Sequence, residues 1–275
     1  MHEVSQLAAR ATALPAILLM AFLLLSGCAS NPSHQQGTPQ KSRSDRSHIY
    51  LQLGIAYLKQ GQPREALRKL QKAKSLNDED ARVYNGLALT YQNLGFDDKA
   101  ERAFQEAVDL DPKDPQVHNN YGAFLAHMGA YERARRQFEA ALADPLYSTP
   151  ESAYYNLAWL AERQGKPGKA EGMLRTALRL HADYPAARLA LVELLRKKGQ
   201  TDKAEKELEK LLKTRPKNVQ AHLIAGEMAR GRGDRGEAKK HWKKVLDLAP
   251  DSDAAKEART DLERIGAVDG HLGSP

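Results

Sequence analysis

Apolar residues recur at helical spacing along most of the chain, and residues 81–114 show the pattern most plainly. Tyr84, Leu87, Ala88 and Tyr91 fall at i, i+3, i+4 and i+7, the buried stripe of an amphipathic helix. Gly95 ends that helix, because glycine enters the left-handed conformation that satisfies the last carbonyls at little steric cost, and Asp97 is placed to cap the next one. The second helix carries Ala100, Phe104 and Ala107 inward until Pro112 stops it. Small alanines let the two helices approach closely, and the phenylalanine fills the space between them. The product is a 34-residue helix–turn–helix unit.

The same spacing occurs six times, with units at 47–80, 81–114, 115–150, 151–184, 185–218 and 219–252. The turn glycine recurs as Gly61, Gly95, Gly129, Gly165, Gly199 and Gly233, and the small residue of the second helix as Ala66, Ala100, Ala134, Ala170, Ala204 and Ala238. A large residue follows in that helix at Leu70, Phe104, Phe138, Leu174, Leu208 and Trp242. It faces Gly54, Ala88, Gly122, Ala158, Val192 and Gly226 in the first helix. The third unit is two residues longer, and the extra length falls in the Pro145 to Pro150 segment. This pattern resembles the tetratricopeptide repeat over residues 47–252. The resemblance implies an all-α fold, a right-handed superhelix (solenoid) of six helix-turn-helix repeats.

Beyond the last unit, Ala255, Ala258, Leu262 and Ile265 share one side of a further helix. A helix over 253–266, ended by Gly266, is expected to cap the stack, because a solenoid end exposes apolar surface unless something polar covers it. The tail at 267–275 is expected to be disordered. Charged residues at 28% and aromatics at 6% suit alanine-rich helix pairs with a narrow continuous core, and no strand signal appears. Each unit touches only its neighbours, so the stack is one domain.

The start of the chain is different. His2 and Arg10 precede an apolar run from Ala13 to Leu25 that is too short for a confident membrane span and reads as a signal peptide over 1–27. Leu25-Ser26-Gly27-Cys28 resembles the bacterial lipoprotein lipobox, in which the cysteine thiol receives lipid. Cys28 is the chain's single cysteine, so a disulfide within the chain is excluded. The resemblance implies outer-membrane placement on the periplasmic side, since Ala29 and Ser30 stand where an aspartate would retain a lipoprotein at the inner membrane. Residues 28–46 then form a lipidated flexible linker, rich in Ser, Pro, Gln and Gly, with a reach of roughly 20–25 Å.

Catalytic motifs are missing: no phosphate-cradling glycine loop, no HExxH and no CxxC. The concave lining supplies only dispersed Glu162, Glu193 and Glu227, not the paired carboxylates of a glycan hydrolase. His118 and His222 occupy a helix position held by Tyr50, Tyr84 and Tyr154 in other units, which makes them structural residues rather than metal ligands. No enzyme activity, cofactor, metal or small-molecule substrate is therefore expected. The net charge is +7. Its lysines concentrate in the last two units, interleaved with glutamates as on a solvated helix face, and nucleic acid is not an expected partner.

In tetratricopeptide arrays the concave surface is lined by positions 2, 5, 9 and 12 of each first helix. Here the expected partner-binding groove comprises Leu51, Ile55, Leu58, Asn85, Leu89, Asn119, Tyr155 and Trp159. Leu51, Ile55 and Leu58 lie at i, i+4 and i+7, and with Tyr50, Leu53, Gly54 and Tyr57 assigned to the core this triplet is expected as exposed apolar surface. Leu51 and Ile55 replace the lysine and asparagine of the family's carboxylate clamp, which disfavours a chaperone-tail receptor. Lipobox, tether, six repeats and cap together resemble the type IV pilus biogenesis lipoproteins of the PilF/PilW pilotin type. That resemblance implies binding of secretin subunits, their delivery to the outer membrane and their assembly into multimers. The alternatives are a lipoprotein adaptor for peptidoglycan hydrolases or for outer-membrane barrel assembly.

Overall fold

The computed structural model describes residues 39–271, with side chains described from 42 to 266. The described residues form thirteen α-helices and no strand. Six antiparallel pairs come first: α1 (Pro39–Lys59) with α2 (Pro63–Leu76), α3 (Ala81–Asn93) with α4 (Asp97–Leu110), α5 (Pro115–His127) with α6 (Tyr131–Leu142), α7 (Pro150–Arg163) with α8 (Pro167–Leu180), α9 (Pro185–Lys197) with α10 (Thr201–Thr214), and α11 (Val219–Gly231) with α12 (Arg235–Leu248). A last helix, α13 (Asp253–His271), packs on α12 and α11. Each even helix also meets the next odd one, so burial propagates along a superhelix of helical repeats.

The repeated residues account for this geometry. Gly95 has φ of 75°, and the five other turn glycines lie between 68° and 82°, where a β-carbon is strained. The six second-helix alanines are all buried, and the large residue one turn later fills the gap between helices. Opposite Leu70, Phe138 and Trp242 the facing helix carries glycine. A β-carbon at Gly122 would stand 2.6 Å from the Phe138 ring, and one at Gly226 would overlap the Trp242 indole. Trp242 is fully buried and its Nε1 has no hydrogen-bond partner, so the ring is held by packing and by the Arg230 guanidinium over its face at 5.6 Å. Asp80, Asp114, Asn218 and Asp234 cap the helices that follow them. Asp97 does not: it is the first residue of α4, whose N-cap is Phe96, and its carboxylate acts there on the helix dipole instead.

Two boundaries differ from those expected. Helix α1 begins at Pro39, so the last eight residues assigned to the linker are helical. Proline at the first position starts a helix well, nothing after it breaks one, and extending a formed helix is far easier than nucleating it. The overhang is fixed where the buried Ser47 hydroxyl donates to Ala73 O at 2.9 Å. At the other end α13 continues through Gly266 to His271, an interruption a helix tolerates for about 1 kcal/mol. Cys28, the lipobox, the signal segment, the rest of the linker and residues 272–275 lie outside the described residues.

The extra length of the third unit is taken up between α6 and α7. Tyr147 anchors the turn from inside, donating its N–H to Asp144 O at 3.2 Å, while Leu146 is 88% exposed.

Candidate protein-interaction groove

The first helices of successive units present their positions 2, 5, 9 and 12 on one layer, and the structure divides that layer into three chemistries. At the N-terminal end the expected apolar triplet does not form. Leu51 is only 2% exposed and packs toward α2 and α3, and Leu58 is half-buried against the same core; Ile55 alone remains exposed, at 37%. The exposed apolar residues of α1 are instead Ile49 and Leu53, at 54% and 41%. Their equivalents in later units, Val83 with Leu87 and Val117 with Tyr121, are buried. The reason is positional: in later units this pair packs on the second helix of the preceding unit, and no described helix precedes α1.

The middle of the layer is built from amides. Asn120 Nδ2 donates to Asn85 Oδ1 at 3.1 Å, and Asn156 Nδ2 donates to Asn119 Oδ1 at 3.1 Å, each bond joining the first helices of adjacent units. Gln116 Nε2 adds a bond to Asn120 Oδ1 at 3.0 Å. Asn119 is buried, whereas Asn85, Asn120 and Asn156 are half-buried. Among the described residues the Nδ2 groups of Asn85 and Asn119 and the Oδ1 of Asn156 make no hydrogen bond. Donors and acceptors of that kind, spaced along a groove, match the main-chain amides of an extended polypeptide.

An aromatic patch follows. Trp159 is half-buried, meets Tyr131 edge-on at 6.0 Å and carries the Arg163 guanidinium over its face at 4.9 Å. Trp159, Glu162, Arg163 and Lys197 line an open hollow of about 430 Å³. Leu89 is half-buried against the N-terminal core, and Tyr155 packs edge-on against Tyr184, whose phenol burial pushes upward. Of the eight expected groove residues, Asn85, Asn119, Tyr155 and Trp159 thus fall in a continuous middle stretch. Asn120, Asn156 and Arg163 belong with them and were missed, because the amide bonds join position 5 of one unit to position 6 of the next.

The C-terminal part is closed by ion pairs between neighbouring first helices, Glu162 with Lys197 at 2.6 Å, Arg196 with Glu227 at 2.7 Å and Arg230 with Asp261 of α13 at 2.5 Å, and within α9 Arg196 also meets Glu193 at 3.2 Å. Each of the three glutamates considered for acid–base chemistry is therefore tied to a base, Glu162 to Lys197 and both Glu193 and Glu227 to Arg196.

Three tetratricopeptide-repeat family models match the chain, at residues 51–115 and 125–188, at 103–136 and at 161–226, together more than half its length. The chain is a tetratricopeptide-repeat protein. A search of curated proteins gives no significant match. Among solved structures, this tetratricopeptide-repeat protein is similar to PilF of Pseudomonas aeruginosa, at 26% identity and a TM-score of 0.68 over 80% of this chain and 99% of that one. It is similar to PilW, described as a widely conserved type IV pilus biogenesis factor, at 26% identity and a TM-score of 0.67 over 77% of this chain and 97% of that one. A likeness to Cut9–Hcn1 of the APC/C, at 20% identity and a TM-score of 0.65, covers 82% of this chain and 44% of that one and speaks for the fold alone.

His118 and His222 of this tetratricopeptide-repeat protein have a structural explanation. His118 Nε2 lies 2.9 Å from Pro112 O and its Nδ1 2.6 Å from Gln137. His222 repeats the arrangement with Pro216 O at 3.0 Å and His241 Nδ1 at 2.9 Å. Arg188 occupies the same position in the fifth unit, reaching Ala182 O and Glu207, both at 2.5 Å. In each case the side chain ties the loop between units to the second helix. Among the described residues no group of three or more His, Cys, Asp or Glu is arranged to hold a metal ion.

Proposed function

We propose that this protein is a non-enzymatic outer-membrane lipoprotein adaptor, a pilotin for type IV pilus biogenesis, that binds secretin subunits and promotes their outer-membrane localisation and multimer assembly. The similarity to PilF over nearly the whole of that chain is the observation that carries the proposal. The repeat scaffold supports binding rather than chemistry. The groove offers an occupant two handles, the unspent amides of Asn85, Asn119 and Asn156 for an extended main chain and the Trp159–Arg163 pair for an apolar or acidic side chain. The site lies in the second to fourth units, with Ile55 at its margin, and not on the Leu51–Leu58 face. Lipid on Cys28 holds the complex at the membrane in which the secretin ring assembles.

Replacing Cys28 with serine tests the tether. The variant is expected to keep its melting behaviour and to leave the outer-membrane fraction, with loss of secretin multimers there. Unchanged outer-membrane retention would remove the lipid anchor from this account.

A further inference from the structure

Residues 185–252 contain 17 Lys and Arg against 10 Asp and Glu, a net charge of +7 that equals that of the whole chain. The second-helix layer, opposite the groove, carries +3 of it, all from α12, because the four lysines of α10 are matched by Asp202, Glu205, Glu207 and Glu209. Lys206 and Lys210 of α10 occupy the same unit positions as Lys240 and Lys244 of α12, so the four form a grid on neighbouring helices. Its spacing is about 6 Å along each helix. The two helices flank one shallow hollow, whose lining also includes Ala225 and Met228 of α11 between them. Lys213 and Lys243 extend the grid, and all six lysines are exposed. Lys210 and Lys240 reach Glu207 and Glu237 at 2.8 Å and 3.2 Å; the other four make no ion pair among the described residues. Glu205, Glu207, Glu209, Glu237 and Asp247 are the acids interspersed among them, Glu205 being paired with Arg232.

We infer that this outer face of α10 and α12 docks on an anionic phospholipid surface. The composition selects that partner over an acidic protein. Protein interfaces are depleted in lysine and are anchored by buried aromatic or aliphatic residues. The large exposed hydrophobics, Ile49, Leu53, Ile55, Phe96, Met128, Leu146 and Leu180, all lie outside these two helices. Lysine ammoniums on flexible stems are point charges that follow mobile headgroup phosphates without fixed geometry. The docking is electrostatic, inserts nothing into the bilayer and weakens with salt. It leaves the groove on the opposite layer open, and it does not depend on lipid at Cys28.

Flotation of the full chain carrying Cys28→Ser with phosphatidylcholine vesicles, with and without phosphatidylglycerol, tests the inference. The phosphatidylglycerol-dependent part of binding should fall roughly 100- to 1000-fold when Lys206, Lys210, Lys240 and Lys244 are all changed to glutamine, at about 1 kcal/mol per lysine. Thermal melts of both proteins confirm that the exposed substitutions leave the fold intact. Equal phosphatidylglycerol-dependent binding by the two proteins overturns the inference. So does capture of soluble polyglutamate by the parent without any gain from phosphatidylglycerol, which would assign the face to an acidic protein.

Discussion

At Gly226 the chain omits a side chain where Trp242 takes the space, and the same exchange of volume recurs at Gly54 with Leu70 and Gly122 with Phe138. Alanine is normally worth about 1 kcal/mol over glycine inside a helix. Gly226→Ala should nevertheless destabilise the protein by about 1–3 kcal/mol, because the added carbon meets an indole with nowhere to move. Combining it with Trp242→Leu should recover part of the loss, a sign that chemical denaturation of the two variants can read. The His222–His241 contact gives a second prediction. Burial, with the neighbouring His222 and Lys240, holds the His241 imidazole below its ordinary value, while Glu237 opposes the shift. The folded state then binds fewer protons than the unfolded one, so stability is full above the ordinary value of 6.5 and falls as pH drops through it. His241→Gln, which copies the His118–Gln137 pair, should melt like the parent at neutral pH and above it in mild acid. Identical melting curves at both pH values would show that the burial of His241 does not link its protonation to folding.

Helices rather than residues decide how the stack ends. Helix α13 occupies the place of the first helix of a further unit: Ala255, Ala258 and Ile265 are buried against the last pair, Asp261 receives Arg230, and Lys256, Arg259 and Glu263 face solvent. Deleting the chain after Ser252 should cost roughly 2 kcal/mol or more of apolar burial. The truncated protein should melt earlier and bind a hydrophobic dye; an unaltered melt would show that α13 is not a cap. The unit pattern was legible in the sequence because glycine and alanine at fixed spacing admit few structures. The start of α1 was not, since Pro39 to Arg46 has no apolar period, and a polar overhang on an existing helix needs none. The phase of α1 was misjudged for a related reason. Leu51 and Leu53 are equally apolar, and which one is buried depends on a preceding helix that repeats 2–6 have and repeat 1 lacks among the described residues.

Across the whole molecule the two helix layers are divided between tasks. The first-helix layer carries amides and aromatics in its middle and interhelical ion pairs toward its C-terminal end, while the lysine grid lies on the second-helix layer. The groove was half legible. Positions 5 and 9 named Asn85, Asn119, Tyr155 and Trp159 directly, but bonds between units, such as Asn156 to Asn119, arise only when neighbouring helices are set in register. The central claim is that this middle stretch holds a secretin segment, and co-purification of the lipidated protein from membranes of piliated cells, probed for secretin, tests it most directly. The account predicts secretin with the parent protein and its loss when Arg163→Glu and Ile55→Glu are combined, with far-ultraviolet circular dichroism and membrane localisation unchanged. Secretin recovered equally with parent and variant, or with neither, would contradict it.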